Sequence, residues 1–186
     1  MSYELSKFEF VRQCISLSVA LAGVVAHHNT QLLLPAAHYI NAYAIIDIFF
    51  VKTPDMFIHH LLVISCVCVM VMYDIDEAYK LHFMNQLMKF EYSSIFYSGG
   101  PLVFHYLSRR PELAKKVKIV FHMLFAVTFI KYRVLEYSLN VVFFREIYDS
   151  DKFQNYPAFV QLMITAWIFY ALNLYWTRLI VLRLVQ

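Results

Sequence analysis

The segment from residue 47 to residue 71 reads DIFFVKTPDMFIHHLLVISCVCVMV, an apolar run that contains ionisable side chains. Asp47 lies inside apolar sequence, and the pair His59-His60 follows Pro54 at the head of a long hydrophobic stretch. Ionisable groups are costly in hydrocarbon unless they face a partner or a cavity. The segment therefore predicts a buried polar site near the start of a membrane helix.

The composition favours a membrane protein. The 186 residues are 61% hydrophobic and only 16% charged, which leaves too little polar surface to cover a soluble fold of this length. The net charge of +3 is too small to indicate a nucleic-acid partner. We therefore predict an all-α polytopic membrane protein that forms one domain over residues 1–186.

Six stretches are apolar enough to cross a membrane, for which a helix needs about 20 residues. The fourth is interrupted by charged residues and by Gly99-Gly100-Pro101, so we expect its helix to break after about Tyr97. The segments 108–118 and 147–156 are predicted to be exposed loops. The predicted helices cover residues of about 10–28, 36–52, 56–73, 78–105, 116–146 and 157–184.

Lysine and arginine are distributed unequally between the two predicted sides of the membrane. With six spans, the termini and the even-numbered loops share a side, and this side carries most of the basic residues. Basic residues favour the cytosolic side. Both termini are therefore predicted to face the cytosol. The loops on the opposite side contain only three basic residues, Lys80, Arg145 and Lys152.

Several predicted helices carry polar residues along one face. On the fifth, His122, Arg133 and Glu136 lie within about 60° at 100° per residue. Such faces predict a cavity with a polar end and apolar, aromatic walls, which suits an amphiphile such as a lipid. The residues expected to line this cavity or to bind substrate are Tyr43, Asp55, Glu91, Ser94, His122, Arg133, Glu136, Asn173 and Trp176.

The histidine pair is open to more than one interpretation. Imidazole can act as a base or a nucleophile near neutral pH, and a buried carboxylate can orient the ring. The catalytic candidates are therefore His59, His60 and Asp47. Adjacent histidines on a helix point apart and the chain lacks the histidine boxes of di-iron desaturases, so no metal site is predicted. A structural role, with the rings bonded at a helix start, is the alternative.

The motifs around this pair resemble the signature of TLC-domain membrane proteins, the TRAM, Lag1 and CLN8 group. YAIID at 43–47, Asp55 and HHLLVI at 59–64 carry the resemblance, and further matches are EYSSIF at 91–96, KYRV at 131–134 and ALNLYW at 171–176. The resemblance covers residues of about 10–185. It implies a six-helix barrel around a lipid-accessible cavity, in the endoplasmic reticulum.

The resemblance also implies a function. In ceramide synthases of this family, two histidines are implicated in joining a fatty acyl group from acyl-CoA to a sphingoid amine. Carried over, His59 and His60 form the acyl-transfer pair and Asp47 supports it. Acyl-CoA is then a co-substrate, no cofactor is resident, and the partners are a fatty acyl chain and a sphingoid base.

The chain departs from the synthase pattern just before Glu91. The synthases carry a His-Asp pair there, whereas this chain reads MNQLMKF at 84–90. The chain thus resembles the TLCD and CLN8 branch more closely than the synthases. Two alternatives to acyl transfer follow: a non-enzymatic lipid-binding protein that regulates membrane lipid composition, and a cargo or assembly factor of the endoplasmic reticulum.

Overall fold

The computed structural model describes residues 4–185, which form an all-helical protein. No β-strand occurs in this range, where a single bridge joins Ile75 to Phe153. The prediction of an all-α fold is therefore confirmed. The α-helices are α1 (Lys7–His28), α2 (Leu33–Asp47), α3 (Pro54–Met72), α4 (Glu77–Met88), α5 (Glu91–Tyr106), α6 (Pro111–Phe129) and α7 (Tyr156–Val185).

Shorter helical segments complete the chain. Two π-helical segments, Ile130–Glu136 and Ser138–Val142, continue α6. Single 3₁₀ turns connect the longer helices, at Thr30–Leu32, Leu107–Arg109, Arg145–Tyr148 and Ser150–Lys152.

Three helices in the described range are long and apolar enough to cross a membrane: Lys7–His28, Pro54–Met72 and Tyr156–Arg183. Large apolar side chains are exposed on their outer faces and on that of α6. An apolar surface of this extent is unsuited to water but suited to lipid. Examples are Val11, Val25, Ile58, Ile119, Val127, Ile164 and Ile168.

Local sequence explains where the helices begin. Ser6 and Glu9 form a reciprocal capping box at the start of α1, in which the Glu9 amide donates to Ser6 Oγ at 3.2 Å. Pro54 and Pro111 occupy the first positions of α3 and α6, where a missing N–H costs nothing. The side chain of Asp76 caps α4.

The predicted fourth helix breaks at a different place from the one expected. The helix is interrupted at Lys89–Phe90. It resumes at Glu91 and continues through Gly99-Gly100-Pro101 to Tyr106. At the break, the backbone amides bond three residues back, as in the bond from Phe90 N to Leu87 O at 3.0 Å. The two glycines are buried beside Phe121 of α6, and Gly99 also lies close to Leu17 of α1, so the helix is packed against its neighbours at this point.

The fifth predicted helix also differs. It begins at Pro111, so much of the segment 108–118 is helical rather than a loop, although Lys115 and Lys116 remain exposed. It becomes π-helical from Ile130 and ends at Val142. The segment 147–156 forms tight turns, and Phe153 lies buried against Ile75.

The packed core occupies one end of the molecule. Its largest buried side chains come from the second half of α3, from α4, from the π-helical segments and from the first half of α7. They include Met70, Phe83, Tyr137, Leu162 and Phe169. The other end, where α1 and α3 begin and α2 and α7 end, contains the cavity described next.

Candidate functional site

A cavity of about 480 Å³ lies between α1, α2, α3, α5, α6 and α7. Cavities of this size accommodate small organic ligands. Arg12, Lys52 and Arg183 line one end, which we call the basic end. Glu91, Ser93, Ser94 and Arg133 line the other, which we call the inner end. The wall between them is mainly apolar and aromatic, with Val63, Phe125, Phe129 and Trp176, and it also contains His59 and His60.

Asp47 connects three helices near the basic end. Arg12 on α1 donates from Nε to Oδ1 at 2.6 Å and from Nη2 to Oδ2 at 2.8 Å, so the pair is bidentate. His60 on α3 places Nε2 3.0 Å from Oδ2. Asp47 and His60 are both almost fully buried. A carboxylate in this position holds the neighbouring imidazole in one orientation.

His59 occupies a different environment from that of His60. Its ring lies 5.5 Å from the His60 ring and 5.3 Å from each of the rings of Phe169 and Trp176. Its Nδ1 is enclosed and has no hydrogen-bond partner among the described residues. Trp176 is itself fixed, because its Nε1 donates to Asp55 at 2.7 Å. The pair therefore consists of one ring held by a carboxylate and one held by aromatic packing.

Arg133 dominates the inner end. Its Nε donates to Ser93 Oγ at 2.8 Å, and its Nη2 donates to Ser94 Oγ at 2.9 Å and to the Phe90 carbonyl at 3.3 Å. The carbonyl that it reaches lies at the break between α4 and α5. The side chain thus connects the π-helical segment to the start of α5.

Glu91 reaches the inner end because α1 and α5 approach closely. A Cβ on Gly23 would lie only 2.4 Å from Glu91 Cγ. The Glu91 carboxyl lies beside Ser94 and within the electrostatic range of Arg133, with which it forms no ion pair.

The structure brings most of the sequence-predicted site residues to this cavity. His59, His60 and Asp47 line it together. So do six of the other candidates, namely Tyr43, Asp55, Glu91, Ser94, Arg133 and Trp176.

His122, Glu136 and Asn173 are not among the lining residues, which corrects that part of the expectation. His122 is exposed, Glu136 pairs with Lys89 at 2.8 Å, and Asn173 is completely enclosed, with its amide atoms unpaired. The prediction that His122, Arg133 and Glu136 share one helix face assumed 100° per residue, whereas a π-helical turn contains more residues than an α-helical turn. Side chains beyond Ile130 are therefore rotated relative to those of α6.

Two contributors were missed as site residues. Arg12 was not selected, yet a buried Asp47 needs a cation, and Arg12 stands in the first turns of a neighbouring helix. Ser93 was quoted in a motif, but its neighbour Ser94 alone was selected. Both serines bind Arg133 because the tight turn at Phe90 directs both hydroxyls toward it.

The described residues contain no group of three or more His, Cys, Asp or Glu side chains placed to hold a metal ion. The second histidine pair lies near the opposite end of α1. His27 Nδ1 lies 2.6 Å from Asn85 Oδ1, and His28 Nε2 lies 2.5 Å from the Tyr92 hydroxyl. Each ring therefore has a polar partner.

An apolar outer surface and a cavity with polar ends are features of a helical integral membrane protein. The family model of the TLC domain (TRAM, LAG1 and CLN8) matches residues 20–182. The chain therefore belongs to the TLC-domain family, and the resemblance seen in its motifs is confirmed. No curated protein and no solved structure matched the chain.

Proposed function

We propose that the chain crosses the membrane six times as a barrel around this cavity and belongs to the TLCD and CLN8 branch of its family. The starts of α1, α3 and α6 and the ends of α2, α5 and α7 lie at one end of the molecule. Contacts from Arg12 to Asp47 and from the Leu5 amide to His105 support that arrangement. Most of the lysines and arginines lie at this end, which we place on the cytosolic side of the endoplasmic reticulum membrane.

The function that the cavity supports best is lipid handling, with acyl transfer from acyl-CoA to a lipid amine or hydroxyl. The observation that carries this proposal is the Asp47–His60 contact of 3.0 Å in the wall of an amphiphile-sized cavity. The basic end suits the phosphates of the CoA moiety, and the aromatic wall suits an aliphatic chain.

The chemistry needs one base. With its Nε2 hydrogen directed at Asp47, His60 has Nδ1 free to accept a proton, and the carboxylate stabilises the imidazolium that forms. The amine or hydroxyl attacks the thioester carbonyl carbon while His60 takes its proton. The C–S bond breaks, the CoA thiolate leaves, and the imidazolium returns the proton to that thiolate. Free CoA and an amide or ester result.

A direct test uses the purified protein in lipid nanodiscs with radiolabelled long-chain acyl-CoA and a sphingoid base, a fatty amine or a fatty alcohol. His60→Ala and Asp47→Asn should each lower the rate at least about 100-fold, the size expected for loss of general-base catalysis. His122→Ala is the matched control and should leave the rate unchanged, because His122 is exposed outside the cavity. A parent protein that transfers no acyl group to any of these acceptors rules out the enzymatic proposal.

A second candidate is a non-enzymatic lipid-binding protein that regulates membrane lipid composition. It is favoured by the bidentate Arg12–Asp47 pair, which gives the Asp47–His60 contact a structural explanation as a connection between three helices. Native mass spectrometry separates the two. A lipid that stays bound and unmodified when acyl-CoA is added supports the binding protein, and conversion of the lipid supports the enzyme.

A further inference from the structure

The inner end of the cavity is the wrong environment for a hydrocarbon tail. An acyl chain long enough to reach the inner end from the basic end would terminate against Arg133 and Glu91, with the hydroxyls of Ser93 and Ser94 beside it. Burying a charged group against hydrocarbon is strongly unfavourable. The inner end therefore matches a polar group of the ligand, and the aromatic wall matches its chain.

The guanidinium of Arg133 is positioned to present one edge to such a group. The rings of Phe90 and Phe129 have their centroids 5.0 Å and 5.4 Å from its Cζ. The serine hydroxyls and the Phe90 carbonyl take up Nε and Nη2. Nη1 makes no hydrogen bond to the described residues, although Arg133 is only 6% exposed and lines the cavity. One edge of the Arg133 guanidinium is therefore hydrogen-bonded, and Nη1 on the other edge has no hydrogen-bond partner among the described residues.

The charge of Arg133 also lacks a counter-charge in direct contact. No carboxylate in residues 4–185 forms an ion pair with it, and Glu91, the acidic side chain nearby, is held against Gly23 on α1. A buried cation without a contacting counter-charge costs several kcal/mol inside a membrane protein. An anion bound at Nη1 would remove that cost.

We propose that the inner end binds the carboxylate of a single-chain fatty acid, which rests on the proposed lipid-handling function. A carboxylate matches the edge of a guanidinium in shape and carries one negative charge. A phosphate carries more negative charge, so Glu91 would repel it more strongly than a singly charged carboxylate. The chain then runs back along Phe129 and Trp176 toward the basic end.

The depth of the cavity fits this ligand. His122 on α6 lies within the electrostatic range of Arg183 at the basic end. Arg133 lies eleven residues further along the same segment, which corresponds to about 16 Å at the helical rise. An extended aliphatic chain can occupy that length between the inner end and the basic end.

The test is binding of tritiated hexadecanoate to the purified protein in nanodiscs, compared with hexadecanol and with a lysophosphatidic acid of the same chain length. The parent protein should bind hexadecanoate at least about tenfold more tightly than either comparison lipid. Arg133→Gln should remove this preference, while the control His122→Ala should retain it.

A second measurement uses only the parent protein, so its outcome does not depend on whether a variant folds. Hexadecanoate labelled with ¹³C at its carboxyl group should keep the chemical shift of the ionised carboxylate when bound to the parent protein at mildly acidic pH. A protonated shift for the bound acid, or equal binding of hexadecanol, overturns the carboxylate site and leaves lipid binding intact. Tighter binding of the lysophosphatidic acid assigns the inner end to phosphate and overturns it as well. Failure to bind any of the three lipids instead contradicts the lipid-handling function itself.

Discussion

Asp47 is a buried carboxylate that joins three helices beside the cavity. It accepts two hydrogen bonds from Arg12 and contacts His60, so α1, α2 and α3 meet at a single side chain. Both carboxylate oxygens thus have a hydrogen-bond partner inside the protein. Asp47 is therefore available as a fixed negative charge for the histidine that lines the cavity.

Arg12→Met should destabilise the protein by about 3 kcal/mol, because it leaves a buried carboxylate with only an imidazole as partner. The value lies at the lower end for buried pairs, because the Arg12 side chain is itself 28% exposed. Thermal unfolding in detergent measures the effect. Lys7→Met, an exposed lysine of the same helix, is the control and should unfold like the parent. Equal unfolding temperatures for the two variants would contradict the role given to Arg12.

At the scale of the element, the contact between α1 and α5 determines whether Glu91 can reach the cavity. Both helices run alongside each other over much of their length, and Gly23 provides the space for the Glu91 side chain. Any larger residue would push α5 outward and carry Ser93 and Ser94 away from Arg133. Gly23 is therefore a requirement of close approach rather than of backbone flexibility.

Gly23→Ala should destabilise the protein by about 1–3 kcal/mol, since its Cβ would lie 2.4 Å from Glu91 Cγ and 2.9 Å from Glu91 Cβ. Gly99→Ala provides a matched control within the same helix pair. A Cβ there meets Leu17 at 3.7 Å, an ordinary contact, so this variant should be as stable as the parent or slightly more stable. Both are measured by thermal unfolding in the same detergent, and a Gly23→Ala variant as stable as Gly99→Ala would contradict the close approach.

The elements also show which features the sequence could predict. Prolines and apolar periodicity place the start of α3 near Pro54 and that of α7 near Pro157 because these signals are local. The prediction of a break near Tyr97 was wrong, because Gly99-Gly100 is buried against Leu17 of α1 and Phe121 of α6 and the helix continues through it. The π-helical turns after Ile130 have no local signature in this sequence, so the faces beyond that residue could not be assigned by a regular 100° step.

At the scale of the whole molecule, the protein has a packed end and an end that contains the cavity. Large side chains such as Phe83, Met70 and Leu162 fill the end remote from the basic residues. Polar side chains on several helices predicted a cavity, because each would be costly against lipid alone. The contact between Asp47 and Arg12 could not be predicted in this way, since it depends on how the faces of α1 and α2 pack together.

The arrangement of the helices predicts from which side of the membrane exposed residues at its two ends can be labelled. Lys115 at the start of α6 and Asp151 in the turns before α7 lie at opposite ends of the molecule and are both exposed. In a background with Cys14→Ser, Cys66→Ala and Cys68→Ala, Lys115→Cys should react with a membrane-impermeant maleimide from the cytosolic side alone. Asp151→Cys should react only after the membrane is permeabilised, because we propose that the basic end faces the cytosol. Labelling of both positions from the same side would contradict the six-span arrangement, and labelling of Asp151→Cys alone in intact membranes would reverse the orientation of the cavity.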